Sequence, residues 1–239
     1  MSSGRKLALI LVAILCLGVI LMSLLKRLPT RQRKWEELNA QVTGLYQQGK
    51  YAEGVPRAVE ALRVAETTFG SEHINVATSL NNLAFLYDEQ GKYAEAEPLY
   101  KRSLTIREKA LGPEHPDVAQ SLNNLAELYR AQGKYAEAEP LYKRSLAIWE
   151  KALGPDHPNV ATSLNNLAEL YRVQGKYAEA EPLLKRSLAI RENTLGPDHP
   201  DVAQSLENYA TLLRKTHREA AAEPMEARAK AIRAKKTVQ

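Results

Sequence analysis

Apolar residues follow a helical period along most of the chain beyond residue 35. The stretch 117–132 shows the pattern most clearly, and its apolar positions recur at intervals of three or four: Val118, Leu122, Leu125, Ala126 and Tyr129. This spacing places them on one face of an α-helix. Gly133 follows, a residue suited to the left-handed conformation just beyond a helix end. We predict a helix here and call it helix A.

A second helix is predicted directly after it, from Tyr135 to Leu153. Its apolar positions again share one face: Ala138, Leu141, Tyr142, Leu146, Ile148 and Leu153. Gly154 and Pro155 end it, and we call it helix B. Helices A and B form a hairpin, which cannot bury its apolar face alone. Hairpins must therefore stack, with each helix A covering the preceding helix B.

The hairpin recurs every 42 residues. The motif Gln-Gly-Lys begins at residues 48, 90, 132 and 174, and a proline in helix B keeps the same interval: Pro56, Pro98, Pro140, Pro182 and Pro224. An interval of this length indicates a repeat architecture. We predict an all-α fold of about five helix pairs over residues 35–235, followed by a C-terminal tail at 236–239.

The recurring proline falls about six residues into helix B, where it removes a hydrogen bond. We expect the first turn of each helix B to be tightened or irregular, so that the missing N–H does little harm. Pro116 and its equivalents Pro158 and Pro200 are placed to open helix A, where the donor would be unsatisfied anyway.

Several motifs recur in register: Asn-Asn-Leu-Ala, Gln-Gly-Lys-Tyr, Ala-Glu-Ala-Glu-Pro-Leu and Leu-Gly-Pro-x-His-Pro. With them, the run from Ser121 to Ala161 resembles the 42-residue tetratricopeptide repeats of kinesin light chains and their bacterial relatives. The resemblance covers roughly residues 35 to 215. It implies a right-handed superhelical solenoid of antiparallel helix pairs. The long heptad region by which kinesin light chains join the motor is absent, so a kinesin role is not expected.

The N-terminal segment has a different character. Nineteen residues from Leu7 to Leu25 carry no charge, and as a helix they would span about 28 Å, close to the thickness of a bilayer core. The run ends at Lys26 without a small-residue cleavage pattern. We predict a tail at 1–6, a single transmembrane helix or uncleaved signal anchor at 7–25 that contacts the lipid bilayer, and a basic juxtamembrane linker at 26–34.

Flanking charges bear on the orientation of this anchor. Arg5 and Lys6 precede the apolar run, and five basic residues follow it within ten positions: Lys26, Arg27, Arg31, Arg33 and Lys34. The positive-inside rule favours a cytoplasmic repeat domain. Signal anchors often send a long following domain outward, so the side of the membrane stays open.

Charge and motifs exclude other classes. The net charge is +5, but residues 1 to 34 hold seven basic residues and no acid, so the repeats are close to neutral and nucleic acid is not an expected partner. No catalytic constellation stands out, and we predict neither an enzyme nor a cofactor. Four histidines recur in separate loops: His73, His115, His157 and His199. They are too far apart to share a metal and are expected to order the loops.

By the resemblance, successive A helices line the concave surface, and one stripe of them is polar. We predict a groove for a protein or peptide ligand that is lined by nine residues: Asn82, Asn124, Asn166, Asn208, Phe85, Glu127, Glu169, Gln120 and Gln204. A carboxamide offers a donor and an acceptor, which suits an extended peptide backbone. Asparagines of this motif contact peptide in kinesin light chains, which the resemblance carries over to Asn82, Asn124 and Asn166.

An alternative stays open for these asparagines, because they could instead join adjacent helices by hydrogen bonds. We favour that structural role for the first asparagine of each motif: Asn81, Asn123 and Asn165. Asp88 and the glutamates Glu89, Glu127 and Glu169 would make the groove acidic, partly countered by Arg130, Arg172 and Lys215, and would favour a ligand with some basic residues. A solvated face of mixed charge is an equal alternative for the same residues.

Two functions fit these observations. The first is a membrane-anchored scaffold or adaptor that binds a peptide or protein in the concave groove. The second is a structural or assembly factor that self-associates as a homo-oligomer, or packs on a membrane complex, through its convex B helices.

Overall fold

The computed structural model describes residues 30–236, and over this range it consists of ten α-helices without a β-strand. The helices are α1 (Thr30–Gln47), α2 (Tyr51–Phe69), α3 (Ile74–Asp88), α4 (Tyr93–Leu111), α5 (Pro116–Ala131), α6 (Tyr135–Leu153), α7 (Pro158–Val173), α8 (Tyr177–Leu195), α9 (Pro200–Lys215) and α10 (Glu219–Lys236). Odd-numbered helices are the A helices and even-numbered ones the B helices. The predicted all-α class is confirmed.

The chain divides after Gln90 into two compact bodies. In the N-terminal body, α2 packs against both α1 and α3, and α1 also contacts α3. In the C-terminal body each helix from α4 to α10 packs against the next, and α7 also contacts the A helices α5 and α9. Each A helix of this body therefore packs on the preceding B helix, as the pattern predicts. The right-handed superhelix stays a prediction.

The predicted membrane segment at 7–25 lies outside the described residues. Between residues 30 and 236, no helix combines the length and the apolar character needed to cross a bilayer. Helix α1 begins at Thr30, so the last residues of the segment predicted as a linker are helical. Lys34 holds this helix to α2 through an ion pair of 2.6 Å with Glu60.

The recurring histidines act as helix N-caps. Nδ1 of His115 accepts a hydrogen bond of 3.1 Å from the backbone N–H of Asp117, the second residue of α5. His73, His157 and His199 make the same bond with the second residue of the helix that each of them precedes. Each bond satisfies one of the donors that the first turn of a helix leaves without a partner. The predicted role in ordering the loops is confirmed.

The prolines within the B helices do not disturb the first turn, so the expected irregularity is wrong. The N–H of Ala96 donates to the carbonyl of Lys92 at 3.1 Å in an ordinary α-helical bond, and α4 continues through Pro98. Pro98 and Ala94, whose carbonyl loses its partner, are both exposed. Water can therefore satisfy the carbonyl, which removes the cost of leaving it without a hydrogen-bond partner.

The core of the C-terminal body consists of buried apolar side chains that form clusters between neighbouring helices. One cluster joins four helices, α5 to α8: Val118, Ala119, Leu122, Ile148, Trp149, Val160, Ala161, Leu164 and Ile190. Burial of this surface is the main force that holds the repeats together. The alanines at the contact are fully buried, and their small side chains let the helix axes approach closely.

Buried arginines complete the contact between some B and A helices. Nη1 of Arg107 donates to Oγ of Ser121 at 2.8 Å and to the carbonyl of Asp117 at 3.1 Å, and Arg191 makes the same bonds to Ser205 and Asp201. The intervening repeat has Trp149 in place of the arginine. Oγ of its serine, Ser163, is buried without a hydrogen-bond partner.

Candidate functional site

The paired asparagines of the A helices form hydrogen bonds from one repeat to the previous one. Nδ2 of Asn166 donates to Oδ1 of Asn123 at 3.1 Å, and Nδ2 of Asn208 donates to Oδ1 of Asn165 at 2.8 Å. In the N-terminal body Asn82 donates in the same way to Asn39 at 3.0 Å. In each case the second asparagine of one motif donates to the first-asparagine position of the preceding repeat. We call these bonds the asparagine ladder.

The residues at the two ends of the ladder differ from the motif. In α1 the donor position holds Ala40, and no described helix precedes it to supply an acceptor. In α9 the acceptor position holds Glu207, whose carboxylate is held through both oxygens by Arg233 of α10 at 2.6 Å. The first position of the motif thus changes from a carboxamide to an ion pair in the repeat that has no described successor.

A pocket of about 370 Å³ opens on the A helices of the C-terminal body. Nine side chains from α5, α7 and α9 line it: Glu127, Arg130, Asn165, Asn166, Glu169, Arg172, Gln204, Asn208 and Thr211. B helices contribute nothing to this lining. We call the pocket the A-helix groove.

Two ion pairs form part of the groove. Arg172 holds Glu169 through both carboxylate oxygens at 2.6 and 2.7 Å, and Arg130 holds Glu127 in the same way. The members of each pair lie three positions apart on one helix, a spacing that brings their side chains together. Hydrogen bonding to Glu169 raises the pKa of Arg172. The arginine keeps its charge and neutralises the glutamate.

Glu127 has an additional partner in the buried Tyr142 of α6, whose hydroxyl donates to Oε2 of Glu127 at 2.5 Å. Burial acts to raise the pKa of Glu127, but the hydrogen bonds and charge of Arg130, together with the Tyr142 hydroxyl, lower it overall. Burial and the adjacent carboxylate raise the pKa of Tyr142 strongly. The next repeat has Leu184 at the tyrosine position, so Glu169 lacks this support.

The groove of the C-terminal body is therefore not acidic. Its two glutamates are balanced by two arginines, and the remaining lining is carboxamide and hydroxyl. Of the two alternatives for this surface, the mixed-charge face applies to this part of the chain, because each glutamate is paired within its own helix.

The structure brings five of the nine predicted site residues together in the groove: Glu127, Asn166, Glu169, Gln204 and Asn208. Gln120 and Asn124 lie on α5 outside the lining, where Nε2 of Gln120 donates to Oδ1 of Asn124 at 2.7 Å. Asn82 and Phe85 belong to the N-terminal body. The ring of Phe85 meets Tyr46 edge-on, with the centroids 4.7 Å apart.

Sequence reasoning missed one lining residue in particular. A structural role was favoured for Asn165, but it both accepts the ladder bond from Asn208 and lines the groove. Adjacent residues of a helix are turned by about 100°, so two neighbouring asparagines can both lie at the edge of one pocket. The repeated Asn-Asn pair was the available signal.

Over the range 30–236, no group of three or more histidine, cysteine, aspartate or glutamate side chains has an arrangement that would hold a metal ion. The recurring histidines are engaged at the helix starts.

Comparison with known proteins agrees with the repeat architecture. The sequence profile of the family described as Tetratricopeptide repeat matches residues 38–109, 89–150, 117–192 and 159–235, which together span most of the chain. We found no match to the chain among curated proteins.

Solved structures of kinesin light chain-like proteins are similar to this chain. The crystal structure of BtubC (BKLC) from P. vanneervenii is 27% identical, with a TM-score of 0.74 over 87% of this chain and 84% of that one. A candidate kinesin light chain from Podosopora anserina with nearly identical TPR-like repeats is 28% identical, with a TM-score of 0.72 over 89% of this chain and all of that one.

Proposed function

Because the chain belongs to the tetratricopeptide repeat family, we propose that it is a membrane-anchored scaffold that binds a peptide segment of another protein in the A-helix groove. The fold itself is one generally used for protein–protein interaction, and proteins of this type are typically non-enzymatic. The membrane anchor and the ligand site are the parts that need testing.

One observation carries the ligand site. Two successive A helices present carboxamides to one pocket, through Asn165 and Asn166 of α7 and Gln204 and Asn208 of α9. The ion-paired Glu127 of α5 lies beside them. Carboxamides offer donors and acceptors without net charge, which matches a peptide main chain. The pocket is too polar for an apolar cofactor, and its neutral balance does not favour a strongly charged ligand.

A pair of matched threonines provides the test. Thr211 lines the groove and Thr105 lies on the B helix α4, and both are exposed with Oγ1 bonded to a carbonyl of their own helix. Thr211→Trp fills the groove, while Thr105→Trp adds the same bulk to the B-helix side. We expect proteins captured by the tagged full chain from its native cells to be lost with Thr211→Trp and kept with Thr105→Trp.

The same experiment separates the second hypothesis, in which the B helices mediate assembly. Loss of partners with Thr105→Trp and not with Thr211→Trp would favour it. The B-helix side is already occupied by internal bonds in several places: Arg144, Arg186 and Arg228 donate to the carbonyls of Pro113, Pro155 and Pro197 in the preceding loops, at 3.0 to 3.2 Å. Because these arginines already bond within the fold, we favour the A-helix groove over the B-helix side as the binding surface.

The proposed anchor rests on the uncharged run at 7–25, with the repeats on the cytoplasmic side as the preferred orientation. We expect the full chain to stay in membranes washed with alkaline carbonate, and a chain without residues 7–25 to be released. Release of the full chain would show that the run does not span the bilayer.

A further inference from the structure

The hydrogen bonds of α7 leave two groups available in the groove. Asn166 uses Nδ2 to donate to Asn123, and Asn165 uses Oδ1 to accept from Asn208. In each bond the nitrogen of one carboxamide donates and the oxygen of the other accepts, so each of these two asparagines keeps its second polar atom for another partner. Oδ1 of Asn166 and Nδ2 of Asn165 then have no hydrogen-bond partner among the described residues.

The neighbouring A helices do not offer the same combination of an available acceptor and an available donor. Oδ1 of Asn208 accepts from Gln204 at 3.0 Å, and the residue before Asn208 is Glu207, which is paired with Arg233. In α5 the corresponding first asparagine, Asn123, is buried with 7% of its surface exposed. Of the three A helices that line the groove, α7 alone presents an open acceptor beside an open donor.

The residue four positions before the second asparagine accounts for this difference. Gln204 precedes Asn208 by four, and Gln120 precedes Asn124 by four, and each glutamine donates to the asparagine oxygen. In α7 this position is Thr162, whose hydroxyl donates instead to the carbonyl of Pro158 at 3.3 Å. The shorter side chain therefore leaves the oxygen of Asn166 open.

We propose that Asn165 and Asn166 hold the main chain of an extended peptide, with Oδ1 of Asn166 accepting a ligand N–H and Nδ2 of Asn165 donating to a ligand carbonyl. The N–H and C=O of one residue in an extended chain point to the same side, so one ligand residue would satisfy both groups. This inference rests on the proposed function. It adds that Thr162 determines which asparagines of the ladder bind the peptide.

The recognition is directed at the backbone. It selects an extended segment in which one residue has a free N–H, and it rejects proline at that residue. Glu169 and Arg172 lie in the same groove and are already paired with each other, so they add no requirement for a charged side chain at this residue.

A library of random twelve-residue peptides displayed on phage is a suitable probe, selected on the purified full chain in a mild detergent. Selected peptides are then synthesised and their Kd measured on the parent chain, on Thr162→Gln and on Thr162→Met. The glutamine is expected to donate to Oδ1 of Asn166 as Gln204 donates to Oδ1 of Asn208, and so to compete with a ligand N–H for that oxygen. The methionine has a similar size and no N–H.

We expect Thr162→Gln to raise Kd about ten-fold and Thr162→Met to leave it within about two-fold, as for one hydrogen bond lost at a buried contact. The melting temperatures of both variants should equal that of the parent. Equal affinity of the two variants would overturn the inference and leave the proposed function standing. Failure of the parent chain to enrich any peptide would overturn the proposed function itself.

Methylation of the ligand gives a second measurement on the parent chain that needs no variant. When each backbone nitrogen of a selected peptide is methylated in turn, one position should lose binding about ten-fold or more on the parent. The same position should lose its effect on Thr162→Gln. A scan with no sensitive position would contradict main-chain recognition.

Discussion

The carboxamide of Asn208 donates to the carboxamide of Asn165 at 2.8 Å, and this bond joins residues of α9 and α7 that are 43 positions apart in the chain. The two residues differ in the atom they contribute. Asn208 contributes its nitrogen and Asn165 its oxygen, so equivalent substitutions at the two positions have unequal consequences.

The ladder predicts such an inequality for aspartate. Asn165→Asp keeps the accepting oxygen, and we expect the free energy of unfolding to change by less than about 0.5 kcal/mol. Asn208→Asp removes the donor and places two oxygens against each other, which should cost about 1–2 kcal/mol. Urea unfolding of both variants at neutral pH measures the difference. Equal costs would show that the ladder bond contributes nothing to stability.

The serines that lie against the buried arginine position provide a second pair of substitutions to compare. Ser121→Ala leaves a guanidinium hydrogen of Arg107 without its partner and should destabilise the chain by about 1–2 kcal/mol. Ser163→Ala removes a buried hydroxyl that has no partner, because Trp149 replaces the arginine, so it should be neutral or stabilising. Thermal unfolding followed by circular dichroism distinguishes the two. Destabilisation by Ser163→Ala as large as that by Ser121→Ala would contradict the assignment.

Stability should fall in acid because of two carboxylates. A hydrogen bond from Lys101 lowers the pKa of Glu97 to about 2 against the opposing effect of burial, and Arg218 does the same for Glu181. Their stabilising contribution is complete above the ordinary carboxyl pKa of about 4.5 and is lost as pH falls from there to about 2.

The double variant Glu97→Gln with Glu181→Gln tests this dependence. At pH 7 it should be less stable than the parent by up to about 1 kcal/mol for each residue, since both pairs are near the surface. The difference should shrink towards zero near pH 2. Asp156→Asn, in an exposed loop, is the control and should follow the parent. A difference that stays constant with pH would exclude the carboxylates as its cause.

The histidine caps predict a chemical preference. His115→Ala removes the acceptor for the N–H of Asp117 and should cost about 1 kcal/mol, whereas His115→Asn retains an acceptor and should cost less than half as much. Chemical denaturation of the two variants provides the comparison. An alanine variant as stable as the parent would mean that water replaces the cap fully.

Most of the fold follows from local signals. Gly133 and the Gly154-Pro155 pair mark helix ends because few other residues suit those backbone positions. Because the sequence repeats every 42 residues, the helix ends found in one repeat predict those in the others. The prolines of the B helices could not be judged from sequence, since their cost depends on whether the freed carbonyl faces water.

Less of the candidate site than of the fold could be predicted from the sequence. The polar stripe correctly brought Asn166 and Asn208 to one pocket, but the role of each carboxamide depends on which atom faces a neighbouring helix. That is a property of packing between repeats. Glu127 and Glu169 suggested an acidic groove because Arg130 and Arg172 were expected to counter them only in part, whereas each arginine pairs with the glutamate three positions before it.

The bond between Glu207 and Arg233 has a practical consequence for anyone who wishes to lengthen this protein. A further repeat appended after α10 would bring an asparagine donor to a carboxylate that already binds Arg233 through both oxygens, so the new helix would have to compete with that ion pair. A repeat duplicated between α5 and α9 would instead find a carboxamide on either side. Longer versions should therefore be built by internal insertion, with the final hairpin left as the terminus.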